Sequence, residues 1–182
     1  MLKFFSIIIF LIITFNANAN NNDKIIENLK NIDSIDFNFE QNTNGKKEKG
    51  NCTIEYPKKI FCQYSKSNNK ILVSNGKSLV IKTKTSYYRY PLDKTPLNLI
   101  LDKDYLISKI FNLTGRTIDN NLITYKILDN DYELSIFFNK KTYDLVGWQN
   151  IDLYQNFNIT FISVIKKNRV PPKDLFKIPI QN

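Results

Sequence analysis

Between Ile71 and Leu101 the chain sets down a hairpin, a strand and a short helix in succession, and the helix is what most restricts the fold. Ile71, Leu72 and Val73 lead into the turn Ser74, Asn75, Gly76, Lys77, and Leu79, Val80 and Ile81 lead out, the pattern of two antiparallel strands joined by a tight turn. A further extended stretch, Tyr87 to Tyr90, precedes Pro91, Leu92, Asp93, Lys94, Thr95 and Pro96, where Thr95 suits an N-cap and Pro96 a first helical position. Leu97, Leu99, Ile100 and Leu101 then load the helix with more hydrocarbon than a short surface helix carries, so something apolar must cover it.

Most of the remaining chain alternates with a period of two. Ile35, Phe37 and Phe39 alternate with Asp36, Asn38 and Glu40 before a break at Asn42 to Gly45. Similar strands are expected at Gly50 to Tyr56, Lys59 to Tyr64, Asn121 to Leu128, Tyr132 to Asn139, Leu145 to Leu153 and Phe157 to Ile165. Helical spacing appears twice more. Ile25, Ile26 and Leu29 form one face of Asp23 to Asn31, with Asp23 as the cap, and Tyr105, Leu106, Ile107, Ile110 and Phe111 make Asp104 to Phe111 a second apolar helix. The class is therefore α+β, mainly β, around one large antiparallel sheet. A sheet with one apolar face must pair with another sheet or curl and be plugged, and three apolar helices are available as the plug. The space between them is either an ordinary core or a ligand pocket, and periodicity does not separate the two.

At the N-terminus, Lys3 precedes an uncharged apolar stretch from Phe4 to Phe15, and Ala17, Asn18, Ala19 has the small-residue pattern of a signal-peptidase site. The expected organisation is a signal peptide over residues 1–19 and a single domain over 20–182. A spanning helix needs about 20 apolar residues, more than this run supplies. No cysteine near Ala19 offers a site for lipid attachment. Export places Cys52 and Cys62 where disulfides form. Cys52 and Ile54 on one side of Pro57 mirror Ile60 and Cys62 on the other, so the two cysteines should oppose one another across a hairpin, within bridging range.

The net charge of +9 falls to +8 once Lys3 is removed with residues 1–19, and it is spread as lysine among asparagine and isoleucine without clustered arginine. That distribution does not make a nucleic-acid surface. The chain has no histidine, which removes the commonest member of catalytic triads, acid-base pairs and zinc sites. Asp36, Glu40, Asp129, Asp131 and Glu133 alternate with apolar residues or stand at turns, as a solvated face does. Five glycines form no phosphate-cradling loop. The expectation is a protein that is not an enzyme, without metal or cofactor.

From Ile35 to Pro179 the chain resembles the LolA family of lipoprotein carriers. The matching motifs run in order: Phe39, Glu40, Gln41; the hairpin Gly50 to Tyr64; Ile71 to Lys77; Tyr90 to Leu97, in a form common in alphaproteobacteria; Leu145, Trp148, Asp152; and Val170, Pro171, Leu175, Phe176, Pro179. The resemblance implies an unclosed, strongly curved antiparallel sheet, a half-barrel, with a lid of short α-helices over an apolar cavity. It also implies a monomeric periplasmic carrier whose cargo is the acyl chains of lipoproteins. Cargo would come from an inner-membrane ATP-driven transporter and pass to an outer-membrane acceptor lipoprotein where one exists. Parity and the family match together assign Ile35, Phe37, Phe39, Ile54, Ile60 and Trp148 to the acyl-binding face, and Leu97, Leu99, Ile100 and Leu101 to the lid. Family members commonly carry an arginine before the hairpin proline that helps hand over cargo. This chain has Tyr56 there, with Lys58 and Lys59 as the nearby cations. Two other classes fit the same residues, a lipoprotein-binding sensor of envelope stress and a non-catalytic secreted scaffold.

Overall fold

The computed structural model describes residues 20–65, 68–118, 121–129, 132–151 and 155–181. The leader expected over residues 1–19 lies outside them, as do Asp152 and Leu153.

Eleven strands form one antiparallel sheet: β1 (Ser34–Thr43), β2 (Lys46–Glu55), β3 (Lys59–Tyr64), β4 (Ile71–Asn75), β5 (Ser78–Lys82), β6 (Tyr87–Pro91), β7 (Arg116–Ile118), β8 (Leu122–Asp129), β9 (Tyr132–Asn139), β10 (Leu145–Ile151) and β11 (Phe157–Lys167). Their order across the sheet is β6-β5-β4-β3-β2-β1-β11-β10-β9-β8-β7. Two meanders thus join where the first and last strands pair, Phe39 opposite Ile162 and Gln41 opposite Thr160. The outer strands β6 and β7 follow one another in sequence yet stand at opposite edges. The chain between them is a 3-10 turn (Leu92–Lys94) followed by α2 (Leu97–Leu101) and α3 (Lys103–Asn112), with α1 (Asn21–Lys30) packed against α3. The expected half-barrel is the observed one, with helices where the ladder of strands is interrupted.

Local chemistry explains most element boundaries. Asn44 and Gly45 both have positive φ, +48° and +90°, and make the tight turn that joins β1 to β2. The break is therefore narrower than the expected Asn42 to Gly45, and the strands pair from Ser34 opposite Glu55 out to Thr43 opposite Lys46. The expected start of β2 at Gly50 came four residues late because Lys46 to Lys49 are polar throughout and carry no alternation. In the next turn Asn75 Oδ1 accepts from the amides of Lys77 and Ser78, both at 3.0 Å. Thr95 does not cap α2: its hydroxyl donates to the Leu92 carbonyl at 2.8 Å and closes the 3-10 turn, and α2 starts after Pro96, already in helical φ,ψ. Nor does Asp23 cap α1, where Asn20 holds the N-cap position. Asp102 does cap α3, accepting from the Tyr105 amide at 3.1 Å. On α3, Leu106 and Ile110 are fully buried, but Phe111 is 72% exposed, so the apolar face is narrower than its sequence suggests.

One side chain fixes the helices to one another and to the sheet. Asn22 donates to the carbonyls of Ile110 (2.8 Å) and Leu113 (2.7 Å) at the end of α3, while its own oxygen accepts from the Tyr125 hydroxyl at 2.6 Å. On the convex side, Val73 and Val80 are buried although they point away from the cavity. The segment after β11 runs across them: Phe176 is buried beside Lys59, and Lys82 donates to the Ile180 carbonyl at 2.7 Å.

Cys52 and Cys62 are directly opposed in the β2–β3 ladder, with Cα atoms 4.1 Å apart, and are joined by a disulfide. For so short a loop, Cys52→Ser with Cys62→Ser is expected to lower stability by about 2 to 3 kcal/mol in urea unfolding, and an unchanged midpoint would contradict this. Acid should act through two other groups. The Arg169 hydrogen bond holds the Asp36 carboxyl below its usual range; burial would raise Asp144, but hydrogen bonds from Lys167 and Asn28 more than reverse that. Depressed folded-state values stabilise the protein at neutral pH, and that contribution disappears as pH falls below about 4, through those values. Unfolding followed from pH 6 to 2 should show the loss, and Asp36→Asn should flatten it.

Candidate functional site

Beneath α2 the concave face holds a half-open cavity of about 390 Å³. Its floor is built of cross-strand rows. Phe37, Cys52, Cys62, Leu72 and Ile81 stand opposite one another from β1 to β5 and all line it. The next row is Phe39, Gly50 and Tyr64, of which Phe39 and Tyr64 line the space with rings edge to face, 4.9 Å apart. Beyond it Gln41 faces Thr160, which faces Trp148, and Thr43 faces Asn158, which faces Asn150. Trp148 meets Phe37 edge on at 6.5 Å. Ile60 and the pair Leu79 and Tyr90 complete the wall, and Thr95, Pro96, Leu97 and Ile100 form the roof.

Six of the ten residues assigned to the face or lid therefore line the cavity: Phe37, Phe39, Ile60, Trp148, Leu97 and Ile100. The other four, Ile35, Ile54, Leu99 and Leu101, are buried and do not line it. Ile35 pairs with Ile54, and both lie one row past Phe37, at the end where the Lys58 amide donates to the Leu101 carbonyl at 2.9 Å. Ile60, beside Ile54 in the same row, still reaches the cavity, whereas Ile35 and Ile54 do not. On α2, Leu97 and Ile100 share a face at spacing i, i+3, whereas Leu99 and Leu101 turn away and are buried. Sequence reasoning also missed Tyr64, Leu72, Leu79, Ile81 and Tyr90 as wall residues. Counting by twos from Ile60 through Cys62 reaches Tyr64, so parity carried part of that signal.

Tyr56 sits half-buried against the core, its ring 5.8 Å from the Lys103 ammonium, and burial raises its phenol so that it stays neutral. The charge at this turn belongs to its neighbours. Lys58 pairs with Asp102 at 3.1 Å and Lys59 with Glu55 at 2.7 Å. Asp102 thus caps α3 with one oxygen and holds Lys58 with the other. The α2–α3 junction is clipped to the β2–β3 turn by one backbone hydrogen bond and one half-exposed ion pair. Among the described residues no group of three His, Cys, Asp or Glu side chains could hold a metal ion, and no helix is long and apolar enough to cross a membrane.

Comparison with known proteins gives this architecture its family. The sequence profile described as "Outer membrane lipoprotein carrier protein LolA" matches residues 30–179. The chain belongs to the LolA family. No curated protein matches it. Among solved structures, a LolA superfamily protein from Nitrosomonas europaea is similar at 11% identity and TM-score 0.46, covering 87% of this chain and 99% of its own. MucB, in its complex with MucA from Pseudomonas aeruginosa, matches at 10% identity and TM-score 0.48, covering 88% of this chain and 62% of that one. A DUF1329 family protein from Desulfovibrio piger matches at 6% identity and TM-score 0.47, covering 86% and 95%.

In this LolA-family chain the cavity floor depends on one glycine. A Cβ on Gly50 would stand 2.1 Å from the Gln63 carbonyl and 2.7 Å from the Phe39 ring, so Phe39 lies across the strand only because position 50 has no side chain. Gly50→Ala should displace Phe39, cost about 1 to 3 kcal/mol of stability and weaken binding of an apolar probe; calorimetry and probe titration would check both.

Proposed function

We propose that this chain is a periplasmic carrier of lipoproteins, holding acyl chains in the cavity under α2 and doing no chemistry on them. The observation that carries the reading is an apolar, roofed cavity in a LolA-family fold, with the roof clipped to the β2–β3 turn by one backbone hydrogen bond and one half-exposed ion pair. Acyl chains avoid water by about 0.8 kcal/mol per methylene, so transfer between membranes needs an apolar container along the way. Release needs a roof that lifts at small cost. Lys58 and Asp102 are both partly exposed, and such a pair is worth about 0 to 1 kcal/mol, enough to bias closure and too little to lock it. Cargo comes from an inner-membrane ATP-driven transporter and goes to an outer-membrane acceptor. The neutral Tyr56 leaves Lys58 as the cation that ties the turn to the roof.

An apolar fluorescent probe should bind the purified protein and be displaced by acyl compounds, and Leu97→Asp, on the half-buried side of α2, should abolish binding while leaving circular dichroism unchanged. Binding by neither probe nor acyl compound would overturn the carrier reading. Lys58→Met should raise the rate of probe exchange up to about fivefold with little change in stability. An unchanged rate would remove the pair from the closing mechanism.

A further inference from the structure

We propose, resting on the carrier reading, that the cavity takes an acyl chain in one direction, methyl end toward Ile100 and carbonyl end among polar side chains at the far end. A change in polarity along one strand carries this. On β1 the inward positions are Phe37 and Phe39, then Gln41 and Thr43, and all four line the cavity. Gln41 donates to Asn158 Oδ1 at 2.8 Å and accepts from the Tyr64 hydroxyl at 3.2 Å. Beside them Lys70 pairs with Glu48 at 2.8 Å and stands 4.0 Å over the Tyr64 ring, and Lys46 reaches Glu48 at 3.7 Å. The Glu48 side chain is only 9% exposed and Lys70 21% exposed. Hydrocarbon gains nothing from such groups, and burying them is costly unless they are paired. Lys46 is 76% exposed, so the buried pair here is Lys70 with Glu48, and it places an ammonium donor where the oxygens of an acyl head group would lie.

Trp148 is the only tryptophan in the sequence, and its ring meets Phe37 edge on at 6.5 Å, at the apolar end. Delipidated full-length protein is titrated with dodecanoic acid, and its fluorescence is followed with 2-bromo- and 12-bromododecanoic acid. We expect stronger quenching by bromine at carbon 12. Lys70→Met should weaken dodecanoic acid about tenfold and leave dodecanol unchanged, because the lost contact is to a charged oxygen. Stronger quenching from carbon 2, or equal weakening of acid and alcohol, would each overturn the inference while the carrier reading stands. Failure of every acyl compound to bind would overturn the carrier reading itself.

Discussion

The ladder of backbone hydrogen bonds stops between β6 and β7, and the rest of the molecule is arranged around that gap. A closed barrel would satisfy its own edges and fill its interior with strand side chains. Here the two edges are consecutive in sequence and are bridged by helices, which cannot hydrogen-bond laterally as strands do. The helices must be held by burial instead, and this is why α1, α2 and α3 carry so much hydrocarbon. Their packing is dense where α2 meets the β2–β3 turn and stops short over the Phe37 and Phe39 rows. The cavity is the space that this unequal packing leaves.

Restraint is distributed to match. The floor is held by ten-residue pairing of β1 with β2, by a disulfide and by aromatic pairs, whereas the α2–α3 junction meets the β2–β3 turn through the Leu101 carbonyl and the Lys58–Asp102 pair. The floor is thus held by backbone ladders and a covalent bond, and the roof by side-chain burial with one hydrogen bond and one ion pair. Asn22 draws the line between the two, because it ties the far end of α3 to α1 and β8.

How much of this was legible in the sequence depended on which physical signal each residue carried. The hairpin at Asn75 and Gly76 and the excess of leucine on α2 are local statements, and they were readable. The three exposed residues of β7 and the all-polar start of β2 pair only because a neighbour presents free backbone groups, which no alternation announces. Parity placed Ile35 and Ile54 on the concave face but was silent on depth, and depth separates core from cavity wall. Gln41, Glu48 and Lys70 carry no apolar alternation that would mark them as inward. The register, which sets Gln41 opposite both Glu48 and Thr160, and the cavity lining show that they face inward.

The pairing of β1 with β11 joins residues more than 110 positions apart, at the middle of the sheet. Neither meander owns the floor: Phe37 and Phe39 come from one and Trp148 and Thr160 from the other. A partly synthesised chain therefore has hairpins but no container, and contacts of such long range slow folding because loop closure precedes their reward. The cavity is the last feature the chain acquires, so an incomplete chain has no enclosed surface to offer a ligand.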